Sequence, residues 1–298
     1  MSNRAKGILS IVASAFGFAL MALFVRLCDD FGGEVSSFQK SFFRNAIALV
    51  IAAVVFARSR RSGTEGLRLP SGVHSWSVLT MRSVFGLVGI FANFYALSKI
   101  PIGEAMTLNK TAPFFTVFFS WLLLGEKATR RQIACLFLAF AGALLVMKPG
   151  FRASDAFAAA CALIGGLGAG LAYVCVHELG REKVNSAFIV LFFSAFSCVG
   201  SLPFMVFGYS PMTAAQILIL LGAGAGAALG QFGVTVAYRY AEPRSIALYD
   251  YTNVLFTALL GFVFFGQTPD VVSVAGFAII LLAAFRMTRT TSPGQTNA

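Results

Sequence analysis

Charge is scarce in this chain. Asp, Glu, Lys and Arg together make up 12% of its 298 residues, about half of the roughly 25% usual in a soluble domain. That deficit, with 58% hydrophobic residues, excludes an ordinary water-soluble globule. Histidine occurs twice, as His74 and His177. There is no HExxH, no nucleophile elbow and no close acidic metal cluster, so nothing points to an enzyme, a metal site or a cofactor. The absence of a Walker motif excludes ATP hydrolysis by this chain. The five cysteines (Cys28, Cys135, Cys161, Cys175, Cys198) form no close pair, which argues against a redox or zinc motif and against a structural disulfide. Most lie in apolar segments, where Cys behaves as a small hydrophobe. The first apolar run, from about Gly7, has no convincing cleavage site after it, so a retained helix is expected rather than a signal peptide.

What the chain has instead is a series of apolar runs near 20 residues, the length that crosses a bilayer as a helix. Ten are expected, over Gly7–Leu27, Ser36–Ala57, Trp76–Leu97, Ile102–Leu124, Arg131–Met147, Ala156–Val176, Ala187–Phe207, Ala214–Tyr238, Ser245–Phe265 and Val271–Phe285. A barrel would need alternating segments of about ten residues, and these are absent. Residues 287–298 read as a disordered tail.

The net charge of +11 would suggest nucleic acid for a soluble protein. Here topology accounts for most of it. With the N terminus inside, fifteen Lys and Arg fall in inner segments and three, Lys99, Lys148 and Arg152, in outer loops. This asymmetry predicts that both termini are cytoplasmic.

Two short polar clusters interrupt the apolar helices. Asn109-Lys110-Thr111 lies in the fourth span and Tyr249-Asp250-Tyr251-Thr252 in the ninth. Shifting residues 96–126 by 141 positions aligns them without a gap on residues 237–267, matching Ala96 with Ala237, Thr111 with Thr252, Phe115 with Phe256, Thr116 with Thr257 and Gly125 with Gly266. The chain therefore reads as a duplication. Each half holds five spans, an odd number, so the halves enter the membrane from opposite sides. Inverted repeats of this kind are common in secondary transporters, where they allow two pseudo-symmetric states around a midplane site. Glycines at 165, 166, 168 and 170 in the sixth span, and at 222, 226 and 230 in the eighth, predict tight helix packing, compatible with sliding faces.

Five basic residues remain inside spans: Arg26, Lys40, Arg44, Arg82 and Lys110. Arg26 and Lys40 are close enough to the outer surface to snorkel. Arg44 lies roughly 12 Å into the second span and Arg82 about 9 Å into the third. An isolated Lys or Asp at mid-bilayer costs at least about 2.5 to 3.5 kcal/mol. Two readings of Lys110 and Asp250 follow. They form a structural ion pair, with Arg44 an alternative partner for Asp250, or they line a cavity that binds substrate or exchanges protons. Tyr249 and Tyr251 bracket Asp250 at about 100° steps and cannot point the same way. Asn109 and Thr111 would add polar contacts to the same cavity. Pro113 can kink the fourth span beside Lys110. Tyr238, Arg239 and Tyr240 read as interface anchors.

The stretch ALSKIPIGEAMTLNKTAPFFTVFFSWLLLGEKATRRQIACLFLAFAGALLVMKPG resembles the first-half signature of the drug/metabolite transporter superfamily, EamA type. AYRYAEPRSIALYDYTNVLFTALLGFVFFGQTPDVVSVAGFAIILLAA resembles its second-half counterpart. SFQKSFFRNAIALVIAAVVFA is similar to the family's second helix, where an arginine like Arg44 is usual, and MRSVFGLVGIFANFYAL to its third. The resemblance implies an all-α integral membrane protein of ten helices in two EamA-like repeats, 7–148 and 156–286. It also implies secondary transport of a small metabolite in a bacterial-type inner membrane. The residues then suggest a substrate that is an amino acid or another zwitterionic or anionic compound. Lys110, Asp250, Asn109, Arg44, Tyr249, Tyr251, Arg82 and Thr111 would contact it, and Asp250 would be the proton-coupling candidate. A cofactor-like metabolite or a drug remains an alternative cargo. Protons or a counter-substrate, and lipid, are the other partners expected; monomer and dimer are both open.

Overall fold

The computed structural model describes residues 1–33, 35–61, 68–100, 102–148 and 155–290. Its described residues are almost entirely helical: α1 (Asn3–Asp30), α2 (Ser37–Arg61), α3 (Gly72–Lys99), α4 (Ile102–Asn109), α5 (Ala112–Leu124), α6 (Arg130–Met147), α7 (Ala156–Arg181), α8 (Ser186–Phe207), α9 (Ala214–Tyr240), α10 (Pro243–Ile246), α11 (Thr252–Phe265) and α12 (Val271–Thr290). Ala247–Tyr251 is a 3-10 turn joining α10 to α11. Among the described residues nine helical segments are long and apolar enough to cross a membrane, with Pro243–Phe265 counting as one. The expected fourth span is the exception, because it is split into α4 and α5. α12 continues to Thr290 and buries Met287, so the first residues of the expected disordered tail are helical; 291–298 lie outside the described residues.

Local sequence sets the helix ends. Thr129 and Gln132 form a reciprocal capping box at the start of α6, and Thr213 and Gln216 repeat it on α9. Each box satisfies two backbone N–H groups that have no partner within the helix. α5 and α11 both stop at a glycine in the left-handed region, Gly125 at φ 71° and Gly266 at φ 63°, a conformation that costs a glycine little.

Packing follows the duplication. α1 lies along α9 as α7 lies along α3; α1 touches α11 as α7 touches α5; α2 packs on α8 and α6 on α12. The α1–α9 and α7–α3 pairs, and the α1–α11 and α7–α5 pairs, interchange when the halves are exchanged, while α2–α8 and α6–α12 map onto themselves, the pattern of a pseudo-two-fold axis. Large apolar side chains such as Phe118, Leu122, Leu218, Leu259, Phe262 and Leu281 face outward, as expected for a surface solvated by lipid tails.

Backbone-to-backbone approaches use glycines of α1 and α7, helices that hold equivalent places in the two halves. A methyl group at Gly17 of α1 would stand 2.6 Å from the Gly230 backbone nitrogen of α9. One at Gly168 of α7 would stand 2.6 Å from the Phe85 carbonyl and 3.2 Å from Gly89 Cα, both on α3. The neighbours are backbone atoms and cannot rotate away. Gly17→Ala and Gly168→Ala are each expected to destabilise the bundle by about 1–3 kcal/mol, the usual cost of overpacking, measured as a fall in the unfolding midpoint in detergent. Equal losses would reflect the equivalent roles of the two positions.

Candidate functional site

The two central spans break at equivalent places. In the first half, α4 ends at Asn109 and α5 begins at Ala112. Pro113 has no N–H for the Asn109 carbonyl, which interrupts the ladder, and its fixed φ suits the first turn of α5. Neighbouring carbonyls at the break accept from side chains: Thr111 Oγ1 donates to Leu108 O at 2.6 Å, and Tyr251 Oη donates to Lys110 O at 2.9 Å. In the second half Val254 stands at the proline's position, yet the helix still departs from α geometry. Residues 247–251 tighten to a 3-10 turn, and Thr252 Oγ1 donates to Tyr249 O at 2.7 Å, the copy of the Thr111 bond.

The breaks face each other. Lys110 Nζ lies 3.1 Å from Asp250 Oδ2, with each side chain only 14% exposed. Lys110, not Arg44, is thus the partner of Asp250. The Tyr251 bond joins the same two breaks from the side. Tyr249 turns the other way and donates to Ala284 O of α12 at 3.2 Å, so the two tyrosines diverge as their spacing requires.

The remaining predicted residues separate into two groups. Arg44 and Arg82 converge on the polar centre from α2 and α3. Arg82 is buried, with 2% exposure. Its Nη2 donates to Gln231 Oε1 of α9 at 2.9 Å, and its Cζ lies 3.5 Å from the Phe193 ring centroid. Arg44 Nη1 reaches the Met21 sulfur at 3.6 Å. Tyr173 of α7 is in electrostatic range of Arg44, Arg82 and Asp250 and stacks on Tyr238, with ring centroids 5.3 Å apart. Asn109 and Thr111 instead pack against the α7 glycines: a methyl group at Gly165 would be 2.7 Å from Asn109 Nδ2, and one at Gly166 2.9 Å from Thr111 Oγ1. They position the break.

Tyr173, Gln231 and Phe193 went unsignalled in the sequence, where each is one polar or aromatic residue in an apolar helix. Tyr238, expected as an interface anchor, is 1% exposed; its aromatic body is buried against Tyr173. Tyr240, 39% exposed with Lys6 over its ring at 5.3 Å, behaves as an anchor. Lys40 does not simply snorkel but pairs with Asp29 at 2.6 Å.

His177 is another buried ionisable group. Its Nε2 lies 3.0 Å from Glu126 Oε1, and its Nδ1 2.6 Å from the Tyr238 carbonyl. A carbonyl only accepts, so Nδ1 carries a proton. Burial would raise the Glu126 pKa, but hydrogen bonds from His177 and Ser120 outweigh it and hold the carboxyl below its ordinary value. At the same end of the bundle, His74, Glu178 and Glu182 bring ligand-type atoms within 4.8 Å of one another, a grouping that sequence spacing could not reveal.

A helical bundle built of two inverted halves, with an ion pair where both central spans break, is by class a membrane transporter. The chain belongs to the EamA-like transporter family, whose model matches residues 5–148 and again 156–289. It is 28% identical over 285 residues to a pseudopaline exporter of Pseudomonas aeruginosa, covering 95% of this chain and 96% of that protein. It is 27% identical over 255 residues to a riboflavin transporter of Brucella anthropi, covering 84% and 87% respectively. A solved crystal structure shares the fold with a TM-score of 0.78 at 20% identity, over 94% of this chain and 98% of its own. The family and these relatives are transporters, not enzymes.

Proposed function

We propose that this chain is a secondary carrier that moves a small polar metabolite bearing at least one anionic group across a bacterial-type inner membrane by alternating access, with both termini cytoplasmic. The observation that carries this reading is the Lys110–Asp250 pair, which ties together the two repeat-related breaks. The chain keeps two charges at membrane depth where apolar residues would cost less. Pairing lets them stay buried while the site is empty, and exchanging partners lets them open. Asp250 is the group that takes up a proton or a substrate amine when the pair separates. The relatives' names support a metabolite cargo, and they differ enough that the cargo of this chain must come from its own residues.

The test is counterflow in proteoliposomes with radiolabelled glutamate, succinate and citrate. Saturable uptake, accelerated by the same compound trapped inside, is expected for one or more of them. Ion conductance without saturation or trans-acceleration would identify a channel and defeat the carrier reading.

A further inference from the structure

Two arginines at the polar centre have no counter-ion among the described residues. Arg82 Nε and Nη1 are buried without a hydrogen-bond acceptor. Its one hydrogen bond is to the neutral Gln231 amide, and beneath it lies a phenyl ring. Arg44 meets a thioether, a weak acceptor. Among the described residues no carboxylate forms an ion pair with either guanidinium. The nearby Asp250 is already neutralised by Lys110. The centre therefore holds about two uncompensated positive charges.

Removing a guanidinium from water without an anion is costly. Neither residue is so near a helix end that it escapes: Arg82 is ten residues into α3, about 15 Å along the axis. Guanidinium N–H groups lie in a plane and match the two oxygens of a carboxylate. Arg82 keeps open donors at Nε and Nη1, while Gln231 and Phe193 fix the plane. Tyr173 has a hydroxyl in the same region, with its ring fixed by stacking on Tyr238.

We infer that Arg82 and Arg44, together with Tyr173, form an anion subsite for a substrate carrying at least two carboxylates. The inference rests on the carrier reading and narrows its cargo. Charge matching favours an oligocarboxylate over a simple monocarboxylate zwitterion, because the Lys110–Asp250 pair adds no net charge. The Arg82 guanidinium is closed off from solvent in this conformation, so reaching it requires the bundle to open on one side.

The experiment is thermal unfolding of the purified full-length chain at constant ionic strength, titrated with succinate, citrate, alanine, ethanolamine or chloride. A ligand that binds only the folded state raises the midpoint by mass action. Succinate or citrate is expected to give a saturable rise, with at least tenfold tighter apparent binding than alanine. Arg82→Gln is expected to weaken that response at least tenfold; Arg44→Gln tests the other half of the subsite independently. The inference is overturned if neither carboxylate gives a saturable rise, if alanine or ethanolamine binds as well, or if folded Arg82→Gln and Arg44→Gln proteins both respond as wild type does. Should Arg82→Gln fail to fold, the Arg44→Gln response and the wild-type ligand ranking decide. Failure of the carrier reading looks different: carboxylates would bind and depend on the arginines, yet show no counterflow.

Discussion

Asp250→Asn is expected to abolish proton-driven transport and to lower stability by roughly 3–5 kcal/mol, the usual penalty for removing one partner from a buried ion pair. The loss of stability arises because Lys110, 14% exposed, would keep its charge without its carboxylate. The loss of transport has a separate cause in the proposed mechanism: an amide neither takes up a proton nor exchanges a cationic partner. The single variant cannot separate these causes, but a double variant can. Lys110→Met with Asp250→Leu removes both charges and replaces them with apolar volume, which is often neutral or stabilising for buried pairs. The double variant is expected to regain most of the lost midpoint and still fail in counterflow. A double variant that transports at the wild-type rate with unchanged pH dependence would show the pair to be purely structural.

This pair was legible in the sequence because the duplication displayed it. Asn109-Lys110 and Asp250-Tyr251 occupy equivalent positions, and charge in an apolar helix stands out against its neighbours. The break at Asn109 was half legible: Pro113 announced it, while the 3-10 turn at 247–251 has no proline and depends on the Thr252 bond and on packing. The surroundings of Arg82 were not legible. Gln231 is more than a hundred residues away in sequence, on α9, and meets Arg82 of α3 only in the folded bundle. Tyr238 was misplaced for a related reason. A tyrosine near a helix end usually reads as an anchor, but this one faces inward, against Tyr173 on α7. Local pattern gives helix existence and depth; the rotation of a helix about its own axis is decided by partners distant in sequence.

The second large effect is expected at the ends of the central helices, where the repeats make equivalent bonds from different chemistry. Glu126, just past α5, bonds His177 of α7. Its repeat mate Gln267, just past α11, has its amide end 2.9 and 3.0 Å from the two Arg26 terminal nitrogens of α1; assigning the amide oxygen to that side, where it faces only donors, makes it the acceptor of both. The backbone turns correspond: Glu126 N donates to Ser120 O and Gln267 N to Gly261 O, each at 3.2 Å. The two bonds therefore clasp opposite faces of the bundle, one through a carboxylate and the other through an amide. Glu126→Ala should cost about 1.5–3 kcal/mol, the range for hydrogen bonds to charged groups, and leave buried His177 short of a partner. Gln267→Ala should cost less, because Gln267 is exposed. The acid response should also differ. The Glu126 pKa is lowered on folding, so its contribution is present above the unfolded carboxylate value of about 4.3 and is lost as pH falls through the lower folded value. Unfolding midpoints between about pH 5 and pH 3, below the titration of the unfolded histidine, should fall more steeply for wild type than for Glu126→Gln, which has no such proton to gain. Parallel curves would show that the Glu126–His177 bond contributes no acid-sensitive stability to this face. Gln267→Glu completes the comparison: it places a carboxylate beside Arg26 and should give the opposite face an acid-sensitive increment that wild type lacks there.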